Sequence, residues 1–180
     1  MDEKTLKEKI LENHIIFITS GLDGQEASEI IFRIMQWSNS SPECEINIYL
    51  SAQTYDFINA IAIYDVLCNI PNPISVFCIG YVGGFAPLFL AVATKGRRYA
   101  LKHTLFGLNQ PYGFLGSGAN QQTEVEIEAK ETTKQRETFE EIISTKLNIP
   151  LGKLHDDMEM DTELNAEEAK QYGLIDEVLR

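Results

Sequence analysis

Residues 74–108 read ISVFCIGYVGGFAPLFLAVATKGRRYALKHTLFGL, and this stretch decides the fold. Ile74–Gly80 is apolar and rich in β-branched residues, which predicts a central β-strand. The chain runs on through YVGG into APLFLAVAT, an almost wholly apolar segment that predicts a helix buried on all sides. KGRRYAL and TLFGL then return to the extended form. Short apolar runs alternating with helical segments predict an α/β fold.

The same alternation extends in both directions from this stretch. On the N-terminal side we expect strands at HIIFIT and INIYL, helices from Gln25 to about Asn39 and around Phe57–Cys68, and an opening charged helix over Asp2–Glu12. On the C-terminal side Glu124–Lys146 predicts a long helix, although EVEIEA at its start alternates with period two and also fits a strand arm. Asn165–Glu168 is typical of a capping box that begins a short helix, and GLIDEVL predicts a closing strand.

Composition limits the possible partners. The chain has 180 residues, which fits one domain over residues 1–180, and its formal charge is −12. That charge repels phosphate groups, so nucleic acid and membrane surfaces are poor partners. No apolar run is long enough to span a bilayer and the first residues do not resemble a signal peptide, so we expect a cytoplasmic protein. Cys44, Cys68 and Cys78 have no CxxC spacing and are interpreted as small core residues.

Few residues outside this pattern suggest chemistry. The glycine turn Gly80–Gly84 offers free amides next to a helix, but the pattern is weak and close packing explains it equally well. His14, His103 and His155 are far apart in sequence and are interpreted as surface histidines. HDDMEMD (155–161) lacks the glycine and final glutamate of a calcium loop, so we expect a solvated acidic loop. Neither a metal nor a cofactor is expected.

Four segments carry a resemblance to a known family. They are AIYDVL (62–67), KGRRYAL (95–101), NQPYG (109–113) and AEEAKQYGLIDEV (166–178). In order and spacing they are similar to the IYD, KGKRY, HQPxG and SAEEAxxYGLID segments of the proteolytic subunit of the Clp protease, apart from a few additional residues around 116–122. The resemblance implies a repeated ββα superhelix of the crotonase type with a protruding strand-helix arm. It also implies a Ser-His-Asp triad inside two stacked seven-membered rings, which cuts peptides fed by an ATP-driven unfoldase.

The residues that would form this triad are largely missing. The family's serine lies in a GQAASMGA-like turn, and the matching position here is Gly84. The histidine of HQP corresponds to Asn109, and only the aspartate has a counterpart, Asp161. Gly84 has no oxygen that could attack a carbonyl, and Asn109 cannot take and return a proton near neutral pH. Asp161 is therefore left as an acceptor for the Asn109 amide or for a backbone amide.

The oxyanion region departs from the family as well. The resemblance places Thr54 and Tyr55 where an NSPGG-like loop has its two glycines, and Phe85 directly after the nucleophile position. A tyrosine in place of a glycine is expected to obstruct a peptide groove.

We therefore predict a catalytically inactive Clp-type subunit with a structural or regulatory role. It would associate into heptameric or stacked rings, by itself or with an active paralogue. Direct gating by an unfoldase ATPase is not expected, because only about a dozen residues precede the first strand. One alternative is an active serine peptidase that uses Ser51, Thr54 or Ser75. The other is a crotonase-like acyl-CoA enzyme with an oxyanion amide at Gly83-Gly84.

Overall fold

The computed structural model describes residues 9–10, 12–19, 21–111 and 122–180, and at residues 122 and 123 it describes the backbone alone. This part of the chain contains nine strands and six helices. The strands are β1 (Ile15–Ile18), β2 (Ile46–Leu50), β3 (Gln53–Thr54), β4 (Ile74–Cys78), β5 (Tyr81–Gly84), β6 (Arg98–Leu101), β7 (Leu105–Leu108), β8 (Thr162–Asn165) and β9 (Glu177–Leu179). The helices are α1 (Gly24–Ser40), α2 (Phe57–Cys68), α3 (Leu88–Ala91), α4 (Gln122–Leu147), α5 (Leu151–Glu159) and α6 (Ala166–Tyr172).

The strands form two sheets that share a repeating unit. In each repeat the first strand joins a five-stranded parallel sheet in the order β1-β2-β4-β6-β9, and the second joins a smaller sheet in the order β3-β5-β7-β8. A helix follows the second strand in the units β2-β3-α2 and β4-β5-α3. This arrangement confirms the predicted α/β fold and its ββα repeat.

One face of the large sheet forms the core. Alternate residues of β2, namely Ile46, Ile48 and Leu50, are buried, and the apolar sides of α1 and α2 belong to the same buried cluster. The other residues of the strands form the opposite face. There, Phe17, Tyr49, Phe77 and Tyr99 lie in register and stack with ring centroids 5.0–5.1 Å apart.

Several local predictions were wrong. The long helix predicted over Glu124–Lys146 is confirmed as α4, and the alternative of a strand at EVEIEA is wrong because these residues form the beginning of that helix. Most of HDDMEMD lies in α5, where the apolar side chains of Leu154 and Met158 reach the core. APLFLAVAT contains only the four-residue helix α3, although that helix is buried as expected. Of the three cysteines, only Cys78 is buried.

Some predictions fall on parts of the chain for which the structure gives no description. The opening helix is described only at residues 9, 10 and 12, which are helical, and the glycine-rich connector 113–118 lies outside the described residues. A strand preceding α4 in the arm would lie there too. Within the described ranges, no helix combines the length and the apolar character needed to cross a bilayer.

Candidate functional site

Gly84 is the last residue of β5 and lies against the backbone of β3. The two strands pair in parallel, with Gln53 opposite Gly83 and Thr54 opposite Gly84. Gly84 has a positive φ of 59°, and a Cβ atom at this position would lie 2.2 Å from the carbonyl oxygen of Thr54. A contact that short with a backbone atom forces the chain to move. Position 84, which the sequence analysis matched to the family's serine, therefore accommodates glycine and no larger residue without rearrangement.

The amide of Phe85 is also engaged by β3. It donates a 2.7 Å hydrogen bond to the Thr54 carbonyl, and one step earlier the Gly83 amide donates to Ala52 at 3.0 Å. The amide that follows a serine nucleophile commonly supplies one half of an oxyanion hole. An oxyanion hole needs donors that are free to receive the charge that develops on the substrate oxygen. In this chain the Phe85 donor is occupied by a neighbouring backbone group.

Tyr55 covers the same region from the side. One of its ring atoms would lie 3.4 Å from a Cβ at Gly84, and its hydroxyl accepts a 2.5 Å hydrogen bond from Gln53 Nε2. Together with Gln53 and Asp56 and with residues of α4, the ring lines a cavity of about 420 Å³. The Thr54 hydroxyl beneath it is buried and has no hydrogen-bond partner in the described part of the chain. Tyr55 thus lies against Gly84.

Asn109 follows β7 and contacts Tyr81, a residue that the sequence analysis did not single out. The Tyr81 hydroxyl donates to Asn109 Oδ1 at 3.3 Å. A Cβ at Gly107 would lie 2.0 Å from that hydroxyl oxygen, and a Cβ at Gly83 would lie 2.7 Å from the ring. Tyr81 therefore fills the space between β5 and β7. The sequence signal that could have pointed to Tyr81 was its position in the turn, where the GQAASMGA-like segment has a glutamine.

Asp161 does not join these residues. It directly follows the C-terminal end of α5, has a positive φ of 49° and is exposed. Its carboxylate makes no hydrogen bond to any described residue, so the expected bond from the Asn109 amide is wrong. The Asn109 oxygen instead accepts from Tyr81. The structure therefore places Gly84, Tyr81 and Asn109 on adjacent strands and leaves Asp161 at the surface.

The other candidate nucleophiles have no base. Ser75 donates a short hydrogen bond to Glu45, and burial raises the pKa of the Cys78 thiol. Within the ranges that the structure covers, no histidine nitrogen bonds to a serine, threonine or cysteine. His14 packs edge-on against Trp37, and His103 is exposed. No group of three or more His, Cys, Asp or Glu residues in those ranges is placed to hold a metal ion.

Next to Asn109 is a cluster of charged side chains that we call the charge clamp: Arg136 and Glu140 of α4, His155 and Glu159 of α5, and Gln110. Arg136 donates to Glu140 and to Glu159 at 2.6 Å each, and to the side-chain oxygen of Gln110 at 3.3 Å. The hydrogen bonds and charge of Arg136 lower the pKa of Glu159. Glu140 is only 5% exposed. His155, interpreted from the sequence as a surface histidine, is exposed and belongs to this network.

Comparison with known proteins gives a consistent result. The family model described as Clp protease matches residues 2–180. The ATP-dependent Clp protease proteolytic subunit 2 of Streptomyces avermitilis is 35% identical over 173 residues, which cover 95% of this chain and 84% of that protein. The similarity therefore spans the whole described fold, including β3, β5 and β7.

Proposed function

Because the chain belongs to the Clp protease family, we propose that it is a catalytically inactive subunit with a structural or regulatory role in a cytoplasmic Clp-type ring. The chain is a homologue of a proteolytic subunit. The proposal assigns it a place in the assembly without peptide-bond cleavage of its own.

The contact between Thr54 and the Gly84-Phe85 backbone carries the proposal. A nucleophile needs a side chain at position 84, and the Thr54 carbonyl occupies the place of its Cβ. An oxyanion needs the Phe85 amide, and the same carbonyl accepts that amide's hydrogen. A single backbone oxygen thus stands against both a nucleophile at position 84 and a free oxyanion donor at Phe85.

The surroundings of Asn109 support the same conclusion. A general base must lie within hydrogen-bond reach of the nucleophile and must titrate near the working pH. Asn109 does not titrate in that range, and its oxygen already accepts from Tyr81. Losing nucleophile and base together removes the reaction, because each triad member contributes little without the other.

Exposed apolar surface supports the ring. In the described part of the chain, the stacked aromatic row lies on the face of the five-stranded sheet opposite the core and its Phe17 is 47% exposed, whereas parallel sheets are normally covered on both faces. On α1, Phe32 is 69% exposed and Met35 is 52% exposed. Surfaces of this kind mark contacts with other chains. We propose that copies of this chain, or an active paralogue, cover them.

The test combines activity and mass. Purified protein should not cleave short fluorogenic peptides or casein and should not react with a fluorophosphonate probe, whereas a triad-bearing Clp proteolytic subunit run beside it should do both. Stoichiometric labelling of a serine would establish the serine peptidase alternative, and release of free CoA from acyl-CoA esters would establish the crotonase alternative. Light scattering at micromolar concentration should give a mass several times 20.3 kDa. A monomer both alone and with a triad-bearing paralogue would contradict the ring.

A further inference from the structure

The cavity that Tyr55 lines combines negative charge, hydrogen-bonding groups and apolar walls. It lies between residues 53–58 and one face of α4, and its volume of about 420 Å³ is in the usual range for small-molecule sites. We propose that this cavity binds a small organic ligand that carries a cationic nitrogen, in an ammonium or a guanidinium group. This inference does not depend on whether the chain cleaves peptides.

The cavity exists because the inward face of α4 changes from apolar to polar residues. Phe139 on this face is buried and packs edge-on against Phe85, which packs in the same way against Phe57 at the beginning of α2. Towards the N-terminus of α4 the same face continues with three polar, partly exposed residues that line the cavity: Gln135, Thr132 and Glu128. Core side chains therefore do not fill the space between this part of α4 and residues 53–58.

The charged residues that line the cavity in the described part of the chain, Asp56 and Glu128, are both negative. The Asp56 carboxylate caps α2, because it accepts from the backbone and side-chain amides of Asn59 at 3.0 and 2.8 Å. Glu128 forms no hydrogen bond or ion pair with any described residue. The formal charge of −12 on the chain adds to the attraction for cations. Since Asn59 already shares the charge of Asp56, Glu128 is the principal partner for a cationic ligand.

A buried hydroxyl of the lining also lacks a partner. Thr54 lines the cavity and is fully buried, and its hydroxyl has no hydrogen-bond partner among the described residues. Buried polar atoms of native proteins are nearly always hydrogen-bonded, so this hydroxyl calls for a partner that the described chain does not supply. Ammonium and guanidinium groups each carry several N–H donors. Such a ligand can therefore satisfy the Thr54 oxygen as well as a carboxylate.

The walls favour an organic cation over a bare ion. Leu22 and Ile58 contribute apolar surface, and Ile58 is 65% exposed. The face of an aromatic ring such as that of Tyr55 attracts ammonium and guanidinium groups. An alkyl chain that ends in such a group can lay its methylene groups on the apolar walls while its charged end stays near the polar groups. A free amine and a basic side chain of a peptide share this chemistry.

The test is an NMR titration of the protein with matched charged and neutral probes. Pentylamine represents a free amine, and 1-pentanol is its neutral counterpart. N-acetyl-lysine methylamide presents the ammonium group as a peptide does, and N-acetyl-norleucine methylamide is its neutral counterpart. At least one amine should bind saturably, and its neutral counterpart should bind about tenfold more weakly. The amine that binds more tightly identifies the source of the cationic group.

Two variants of α4 separate the cavity from the net charge of the chain. Glu128→Gln removes the carboxylate from the lining and should weaken binding of the amine by about fivefold or more. Glu137→Gln removes an equal charge from an exposed position on the opposite side of the same helix, and should change binding by less than about twofold. The proposal is overturned if neither amine binds below about 10 mM, if the neutral probes bind as tightly as the amines, or if both variants weaken binding equally.

Discussion

Placing a serine at position 84 should damage the fold and produce no enzyme. In Gly84→Ser the new Cβ would start 2.2 Å from the Thr54 carbonyl oxygen, and the residue would have to keep a φ of 59°. The left-handed conformation costs a non-glycine residue about 1–2 kcal/mol. Overpacking costs about 1–3 kcal/mol, and the loss of the hydrogen bond between Phe85 and Thr54 costs about 0.5–1.5 kcal/mol.

These contributions amount to about 3–6 kcal/mol. For a chain of this size, 1 kcal/mol corresponds to about 2–4 °C, so Gly84→Ser should melt about 6–24 °C below the wild type. Thermal unfolding followed by circular dichroism measures this difference. A fluorophosphonate probe should leave the variant unlabelled, and adding Asn109→His should still give no appreciable peptidase activity, because Tyr55 still lies against position 84.

Gly96 provides a control that separates conformational strain from collision. It also has a positive φ, 84°, but a Cβ there would meet nothing within 4 Å. Gly96→Ser should therefore carry only the conformational cost and melt about 3–6 °C below the wild type. If Gly84→Ser melts at the same temperature as Gly96→Ser, or if its serine reacts with the probe, the Thr54 carbonyl does not close the site and the reasoning fails.

Three further predictions concern charges. Arg136→Leu leaves the buried Glu140 carboxylate without its main partner, so it should lower the free energy of unfolding in chemical denaturation by about 3–5 kcal/mol. Arg33→Leu, in an exposed pair of the same i,i+4 spacing, should lower it by under about 1 kcal/mol. Burial alone would raise the pKa of Asp176, but hydrogen bonds from Arg98 lower it overall, so this pair stabilises the fold above about pH 4 and the benefit is lost as the pH falls further. In Asp176→Asn the free energy of unfolding should accordingly fall less steeply as the pH drops below about 4. An unchanged slope in that range would contradict this assignment. Asp161→Asn should change Tm by less than about 2 °C and remove no activity, because its carboxylate is exposed and asparagine tolerates the same positive φ. Loss of a hydrolytic activity in a folded variant would mean that the site is active.

The regular elements were predictable because their apolar residues repeat with a clear period. Ile46, Ile48 and Leu50 alternate as a strand requires, and Asn165 and Glu168 form the expected capping box. β3 was missed because two residues, Gln53 and Thr54, have no period and form a strand only by pairing with β5. α5 was missed because its acidic residues hid the spacing of the apolar ones.

Part of the candidate site could likewise be predicted from the sequence, and part could not. Motif order singled out Gly84 and Asn109, and the structure places them at the ends of the paired strands β5 and β7. What surrounds them could not be read from the sequence, since it depends on contacts between strands far apart in the chain. The Tyr81 ring between Gly83 and Gly107 and the Thr54 carbonyl against Gly84 both require the register of the smaller sheet.

The glycine at position 84 and the pairing of β3 with β5 depend on each other. Thr54 can approach β5 closely enough to accept from Phe85 only because position 84 has no side chain. Once the ladder has formed, it holds position 84 in a conformation that only glycine adopts without strain. Placing a serine at position 84 alone would therefore bring its Cβ against the Thr54 carbonyl. Separating β3 from β5 alone would leave a site without a nucleophile. Under the proposal that the chain is inactive, neither change would restore function by itself, so that arrangement is stable against single substitutions.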